Sequence, residues 1–151
     1  MTALARLTEL GLALPTVVPP VAAYIPAVRT GSLVYTSGQL PMVAGAMEHT
    51  GLVGDQVSPE DAKEQARVCA LNALAAVDAL VGLDAVTRVV KVVGFVASAP
   101  GFTGQPGVIN GASELLGEVF GEAGRHARSA VGVASLPLGA PVEVELIVEV
   151  G

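Results

Sequence analysis

SPEDAKEQARVCALNALAAVDALVG (residues 58–82) is followed closely by VTRVVKVVGFVA (residues 86–97), and these two segments set the architecture of the chain. Ser58 is a typical helix N-cap, and Pro59 and two acidic residues follow it in the first turn. Small apolar residues then recur at steps of three and four up to Gly82, which predicts a helix with one closely packing face. Residues 86–97 are nearly all β-branched or apolar and predict a strand buried on both faces.

Segments on either side of this pair complete a pattern of strands and helices. Runs rich in β-branched or alternating residues predict four more strands, at residues 23–28, 33–36, 128–135 and 142–150. Residues 108–122 place apolar positions opposite three glutamates and predict a second helix. The order ββαβαββ indicates an α+β fold of two layers, in which both helices cover one face of a mixed sheet.

The N-terminal region and one long internal segment lie outside this pattern. Residues 4–10 predict a short amphipathic helix, and the prolines within residues 15–20 predict an extended segment, since proline fixes φ and donates no backbone hydrogen bond. Residues 44–57 contain three glycines and show little periodicity, which predicts a loop. A length of 151 residues predicts one domain over residues 1–151.

The chain is 52% hydrophobic and only 15% charged, which fits either a membrane protein or an oligomer with an apolar interface. The longest apolar stretch, residues 10–28, is interrupted by four prolines and cannot form the roughly 20-residue helix that spans a bilayer. Association of subunits over the second, apolar face of the sheet is the better explanation. A single cysteine, Cys69, suits a core position in a reducing cytoplasm, so we expect a cytoplasmic oligomer with no membrane partner.

The charge balance argues against nucleic acid as a partner. The net charge is −6, only two lysines are present, and no run of basic residues occurs. A nucleic-acid surface needs clustered Lys and Arg to displace counterions, and base stacking needs aromatic side chains, which make up only 3% of the chain.

The sequence lacks the common cofactor and metal motifs. No phosphate-binding loop occurs, and the glycines of residues 101–107 have the wrong spacing for a dinucleotide turn. His49 and His126 stand alone in the sequence, without the paired spacing of zinc ligands. Ser37 is not part of a GxSxG nucleophile motif. We therefore predict neither a cofactor nor a metal ion.

One arginine among apolar residues and a row of glutamates are the remaining candidates for chemistry. Arg128 opens a predicted strand, and its guanidinium can bind a carboxylate through two parallel hydrogen bonds. Glu143, Glu145 and Glu149 alternate along the last strand and share one face, where they can raise one another's pKa. The spacing alone favours the simpler alternative, in which Arg128 pairs with one of these glutamates and the others face solvent.

Several short motifs occur together in one order. RSAVGVASLP (128–137), followed by VEVE (142–145), closely resembles the C-terminal signature of the Rid family of reactive intermediate deaminases, formerly called YjgF. TSGQLP (36–41) resembles the early motif of that family. The first helix of the family is matched by QAR (65–67) and LN (71–72), and its second helix by VIN (108–110). The chain is identified as a member of this family from about residue 24 to residue 150.

The resemblance implies a chorismate-mutase-like domain that forms a homotrimer around a sheet-lined barrel, with its sites between subunits. It implies hydrolysis of 2-imino acids to 2-keto acids and ammonia without a cofactor. By position in the motifs, Arg128 would clamp the substrate carboxylate and Glu143 would position or activate the attacking water. The residues that would line the pocket are Tyr24, Ser37, Asn110 and, through its backbone, Ala130.

The chain also departs from the family pattern. Two alanines stand where Gly-Pro is common before the tyrosine, Ala130 stands where a cysteine is common, residues 1–20 form an N-terminal extension, and the loop at 44–57 is longer. These departures leave two alternatives open. One is a trimer that binds small carboxylates without turnover, and the other is the endoribonuclease activity attached to some relatives.

Overall fold

The computed structural model describes residues 1–17, 20 and 22–151 of the chain. The helices and strands, in chain order, are α1 (Ala3–Glu9), β1 (Ala27–Thr30), β2 (Leu33–Thr36), α2 (Pro59–Val81), β3 (Val86–Ala97), α3 (Gln105–Phe120), β4 (Ala127–Val133) and β5 (Val142–Val150). The predicted order ββαβαββ is therefore confirmed, with α1 preceding it. The extended segment predicted at 15–20 includes residues 18 and 19, which lie outside the described residues.

The long elements have the predicted bounds, whereas two predicted starts are wrong. β1 covers Ala27–Thr30 and not residues 23–28, because Pro26 accepts the ladder bond from the Ser37 N–H at 2.8 Å but has no N–H to donate in return. α3 begins at Gln105, three residues before the predicted start, because Pro106 suits the first turn of a helix. The loop predicted at 44–57 contains only isolated bridges.

The sheet is mixed, and its strands lie in the order β1-β2-β5-β3-β4. All neighbours are antiparallel except β3 and β4, which the crossover helix α3 joins as a parallel pair. In the registers of β3, Val92 lies opposite Arg128 of β4 and opposite Leu146 of β5. Val92 and Leu146 are buried under the helices, so the side chain of Arg128 lies on the helix side of the sheet.

The two long helices approach each other and the sheet to within van der Waals contact of the backbone. Gly111 of α3 faces the main-chain oxygen of Lys63 on α2, and a side chain at position 111 would overlap that oxygen. Gly94 of β3 faces the side chain of Ile109, and a Cβ at position 94 would overlap it as well. Small residues at these contacts therefore fix the position of α3.

The opposite face of the sheet is not covered by any described part of this chain. Val93 and Phe95 of β3 are only half-buried there, because no second layer of the described residues covers them. The prediction that β3 is buried on both faces is therefore wrong for the single protomer. Tyr35 and Val131 are 40% and 45% exposed on the same face, beside the glutamates of β5. Among the described residues, no helix is long and apolar enough to cross a membrane.

We expect Gly111→Ala to lower the free energy of unfolding by about 1–3 kcal/mol, because the new methyl group must push α3 away from the backbone of α2. Gly117→Ala is the matched control on the same helix, since a Cβ there meets nothing within 4 Å. It should stabilise the protein by up to about 1 kcal/mol through helix propensity alone. Urea unfolding at one protein concentration checks both values, and equal stability of the two variants would contradict the close approach.

Candidate functional site

Arg128 is held by neutral oxygen atoms. Its Nη1 donates to Asn110 Oδ1 at 2.8 Å and to Ser113 Oγ at 3.2 Å, and Nη2 lies 3.4 Å from the Pro106 carbonyl oxygen. No ion pair among the described residues includes Arg128. The simpler prediction, that this arginine pairs with a glutamate, is therefore wrong within one protomer. The half-buried guanidinium keeps an uncompensated positive charge.

The helix α3 supplies the groups that orient Arg128. Asn110 and Ser113 are three residues apart and therefore lie on one face of the helix. Ser113 Oγ also lies 2.8 Å from His126 Nε2, and His126 Nδ1 lies 2.6 Å from the Gly124 carbonyl oxygen. The sequence predicted no functional role for Ser113 or His126. The signals available were the spacing of three from Asn110 and the position of His126 two residues before Arg128.

Glu143 lies on the opposite face of the sheet. In register it is opposite Phe95, and it is half-buried. The backbone of Gly38 passes so close that a Cβ at position 38 would overlap the Glu143 carboxylate. Burial raises the pKa of Glu143, and the negative charge of Glu145, two residues along the same strand face, raises it further. A carboxyl group of this kind can exchange a proton nearer to neutral pH than an ordinary glutamate.

Ser37 and Tyr24 lie at the end of β2, near Gly38. The Ser37 hydroxyl donates to the Ile25 carbonyl oxygen at 2.6 Å and fixes the segment that carries Tyr24. Tyr24 itself is 56% exposed. Tyr24 and Gly38 line one side of a groove of about 870 Å³. Asn72 of α2 lines the groove too, and its Nδ2 donates to two carbonyl oxygens of the loop at 40–42.

The predicted site residues therefore form two separate clusters in one protomer. Arg128 and Asn110 lie on the helix side of the edge strand β4, with Ala130 two residues farther along on the same side. Glu143 is two strands away, roughly 10 Å across the sheet, on the other face, and three residues farther along the strand direction. Tyr24 lines the same groove as Gly38, Ser37 directly precedes Gly38, and Gly38 lies against the carboxylate of Glu143, so these residues form the second cluster. The structure does not bring the two clusters together.

The described residues contain no group of three His, Cys, Asp or Glu side chains placed to hold a metal ion. Cys69 is fully buried on α2, and its thiol lies 3.8 Å from the Val142 carbonyl oxygen. Burial raises the pKa of this thiol, and the charge of Glu143 adds to the effect. Cys69 is therefore a core residue, as predicted, and its raised pKa keeps the sulfur protonated.

Comparisons with known proteins find relatives that match this chain in sequence and in fold over nearly all of its length. The family model described as endoribonuclease L-PSP matches residues 15–150. Protein TCP17 of Trypanosoma cruzi is 48% identical over 96% of this chain and 92% of its own length. The crystal structure of Atu1372 from Agrobacterium tumefaciens, a protein of unknown function, is 49% identical with a TM-score of 0.89, and the match covers 99% of this chain and 92% of that one. E. coli TdcF with bound serine is 27% identical with a TM-score of 0.67, over 88% of this chain and 92% of TdcF.

We expect the Glu143 carboxyl group to titrate above the usual glutamate pKa of 4.5 in a ¹³C-detected NMR titration. Glu145→Gln should lower this pKa, because it removes the second cause of the shift. Glu149→Gln is the matched control, since Glu149 lies six residues away on the same strand and should have a smaller effect. If Glu145→Gln leaves the titration midpoint of Glu143 unchanged, the electrostatic coupling is wrong.

The raised pKa of Glu143 also determines how the contribution of this residue to the free energy of unfolding changes with pH. Between pH 4.5 and the raised pKa, the folded protein binds more protons at Glu143 than the unfolded chain does, so this contribution falls as the pH rises through that window.

Proposed function

Because this chain belongs to the endoribonuclease L-PSP family, also known as the YjgF or Rid family, we propose that it is a 2-imino acid deaminase. The reaction converts a 2-imino acid and water to a 2-keto acid and ammonia, without a cofactor. An imine carbon is already electrophilic, so a held substrate and a placed water supply most of what the reaction needs.

One observation carries this proposal: Arg128 is half-buried and bound only by neutral acceptors. A guanidinium has five N–H donors and cannot be deprotonated, so it can bind a planar carboxylate through two parallel hydrogen bonds. The related TdcF binds serine, which is a small molecule with a carboxylate next to a nitrogen-bearing carbon. A 2-imino acid has the same two groups in the same arrangement.

Glu143 has the properties of the group that would activate water. Its raised pKa makes the carboxylate a better base than an ordinary glutamate. The water oxygen would attack the imine carbon while Glu143 accepts a proton from the water. Glu143 would then return that proton to the nitrogen, which gives a tetrahedral intermediate with one hydroxyl and one amino group. Glu143 would next carry the hydroxyl proton to the nitrogen as the carbon–nitrogen bond breaks, so that ammonia leaves and the keto group forms.

A homotrimer with sites between subunits would join the two clusters. Arg128, Asn110 and Ala130 of one protomer would face Tyr24, Ser37 and Glu143 of its neighbour. Exposed apolar side chains on the uncovered sheet face support such an association, since exposed apolar patches mark interaction surfaces. The uncovered faces of three protomers would then line the central barrel.

Two other functions remain as outcomes of the tests. The family description names an endoribonuclease, but a net charge of −6 and the glutamates of β5 repel a phosphate backbone. A binding protein without turnover would use Arg128 in the same way but would leave Glu143 without a chemical role. Release of ammonia from imines, binding of keto acids without release, and cleavage of RNA distinguish the three functions.

We expect Arg128→Ala to lower kcat/KM for enzymatically generated 2-iminobutanoate by at least about 100-fold, because the substrate carboxylate loses its charged partner. Arg125→Ala is the matched control, since Arg125 is exposed and forms a surface ion pair with Glu122 at 3.7 Å. Release of ammonia and of 2-oxobutanoate is measured for both variants, with light scattering to follow the oligomer. Full activity of Arg128→Ala would disprove the carboxylate clamp.

We expect kcat/KM to rise with pH as Glu143 loses its proton, with a midpoint above the ordinary glutamate range. Glu145→Gln should move this midpoint to lower pH, and Glu143→Gln should reduce the rate by about 100-fold or more. The pH dependence is measured at imine concentrations below KM, with excess generating enzyme that is checked separately at each pH. A flat profile in the wild type would remove Glu143 from the mechanism.

A further inference from the structure

Arg128 is connected to the backbone through two side chains outside the proposed pocket. The connection runs from Arg128 Nη1 to Ser113 Oγ at 3.2 Å and from Ser113 Oγ to His126 Nε2 at 2.8 Å. It ends where His126 Nδ1 meets the Gly124 carbonyl oxygen at 2.6 Å. Gly124 is buried, and a Cβ there would overlap the Leu116 carbonyl oxygen of α3, so the last acceptor of this series of hydrogen bonds is packed against the helix.

When His126 is neutral, the chemistry of these groups fixes which atom donates and which accepts in each of these hydrogen bonds. A carbonyl oxygen only accepts, so His126 Nδ1 must carry the proton that is donated to Gly124. His126 Nε2 is then unprotonated and accepts the hydroxyl proton of Ser113. The Ser113 oxygen keeps its lone pairs for Arg128 Nη1. Every donor and acceptor in the chain is matched, and aligned hydrogen bonds of this kind strengthen one another.

The same contacts decide which edge of the guanidinium remains free. Nη1 has two hydrogens, and the two acceptors Asn110 Oδ1 and Ser113 Oγ use both of them. The Pro106 carbonyl oxygen lies at the outer limit of a hydrogen bond, 3.4 Å from Nη2. The edge formed by Nε–H and the remaining Nη2–H has no acceptor among the described residues. Those two parallel N–H groups match the two oxygen atoms of a carboxylate.

We propose that Ser113 and His126 are positioning residues, which hold the Nη1 side of Arg128 so that its Nε–Nη2 edge faces the substrate carboxylate. The identity of that carboxylate rests on the deaminase function proposed above. The positioning itself rests only on the hydrogen-bond chain. Loss of these hydrogen bonds leaves Nη1 with Asn110 as its one strong acceptor, so the guanidinium rotates more easily, which weakens binding of the carboxylate more than it slows the chemical step.

The kinetic test compares variants that keep or remove each link. Ser113→Ala should raise KM roughly three- to tenfold with a smaller change in kcat, which is the effect of one lost hydrogen bond. Ser113→Thr retains the hydroxyl and should restore KM. His126→Gln can still present an acceptor to Ser113, whereas the shorter His126→Asn cannot, so only the asparagine variant should show the raised KM. Gly117→Ala on the same helix is the control for small changes in α3, because it meets no neighbour within 4 Å.

An NMR measurement tests the hydrogen bonds from Arg128 through Ser113 to His126 without any substrate. In ¹⁵N-labelled wild-type protein, neutral His126 should show a protonated Nδ1 and an unprotonated Nε2. The Nη resonances of Arg128 should show slow rotation that becomes faster in Ser113→Ala. A protonated Nε2 in the neutral imidazole, or unchanged Arg128 rotation in Ser113→Ala, would overturn the inference even if the enzyme is an active deaminase. Slow rotation that Ser113→Ala abolishes, in a protein that releases no ammonia, would retain the positioning role and reject the deaminase.

Discussion

The position of α3 is the constraint on which the candidate site depends. Three consecutive residues of this helix have different tasks. Ile109 fills the space that Gly94 leaves open on β3, Gly111 lies against the main-chain oxygen of Lys63 on α2, and Asn110 between them reaches Arg128. Any side chain at position 94 or 111 would shift the helix, and Asn110 and Ser113 would move with it. Packing in the core therefore also determines the orientation of Arg128, because interiors packed at crystal density transmit small displacements.

The two faces of the sheet explain why the site is divided. On the helix side, β5 contributes a continuous row of buried apolar residues, and the only charged side chain that the registers of β3 place on this side of β4 is Arg128, at the edge strand. On the other face, β5 contributes Glu143, Glu145 and Glu149, next to half-buried Phe95. The alternation of one strand thus places acids and core residues on opposite sides. Opposite charges therefore lie on opposite sides of the sheet within one protomer, and the proposed association of subunits would bring them together.

Much of the fold could be predicted from local pattern, while the site could not. The bounds of α2, β3 and β5 follow from a helix cap, a β-branched run and strict alternation, which are properties of neighbouring residues. The start of β1 depends on Pro26, which pairs with Ser37, eleven residues later. The pattern of neighbouring residues does not show this pairing, so the start predicted from it was wrong. Ser113 and His126 had no motif, because their connection exists only where α3 lies beside β4. The resemblance of the motifs predicted Arg128, Asn110 and Glu143 as site residues, which stays a prediction, and it did not indicate what holds the arginine.

The neutral surroundings of Arg128 also affect how a substrate can bind. An arginine already paired with a carboxylate must break that pair before it can bind another, and the cost of separating partly buried charges is several kcal/mol in general. Asn110 and Ser113 satisfy the hydrogens of Nη1 without neutralising its charge, so they orient the group and leave its electrostatic attraction intact. The arrangement is preorganised: donors already point in the required direction, and little reorganisation is needed when the anion arrives. A neutral cradle around a permanent charge is therefore better suited to recognising a small carboxylate than an internal salt bridge would be.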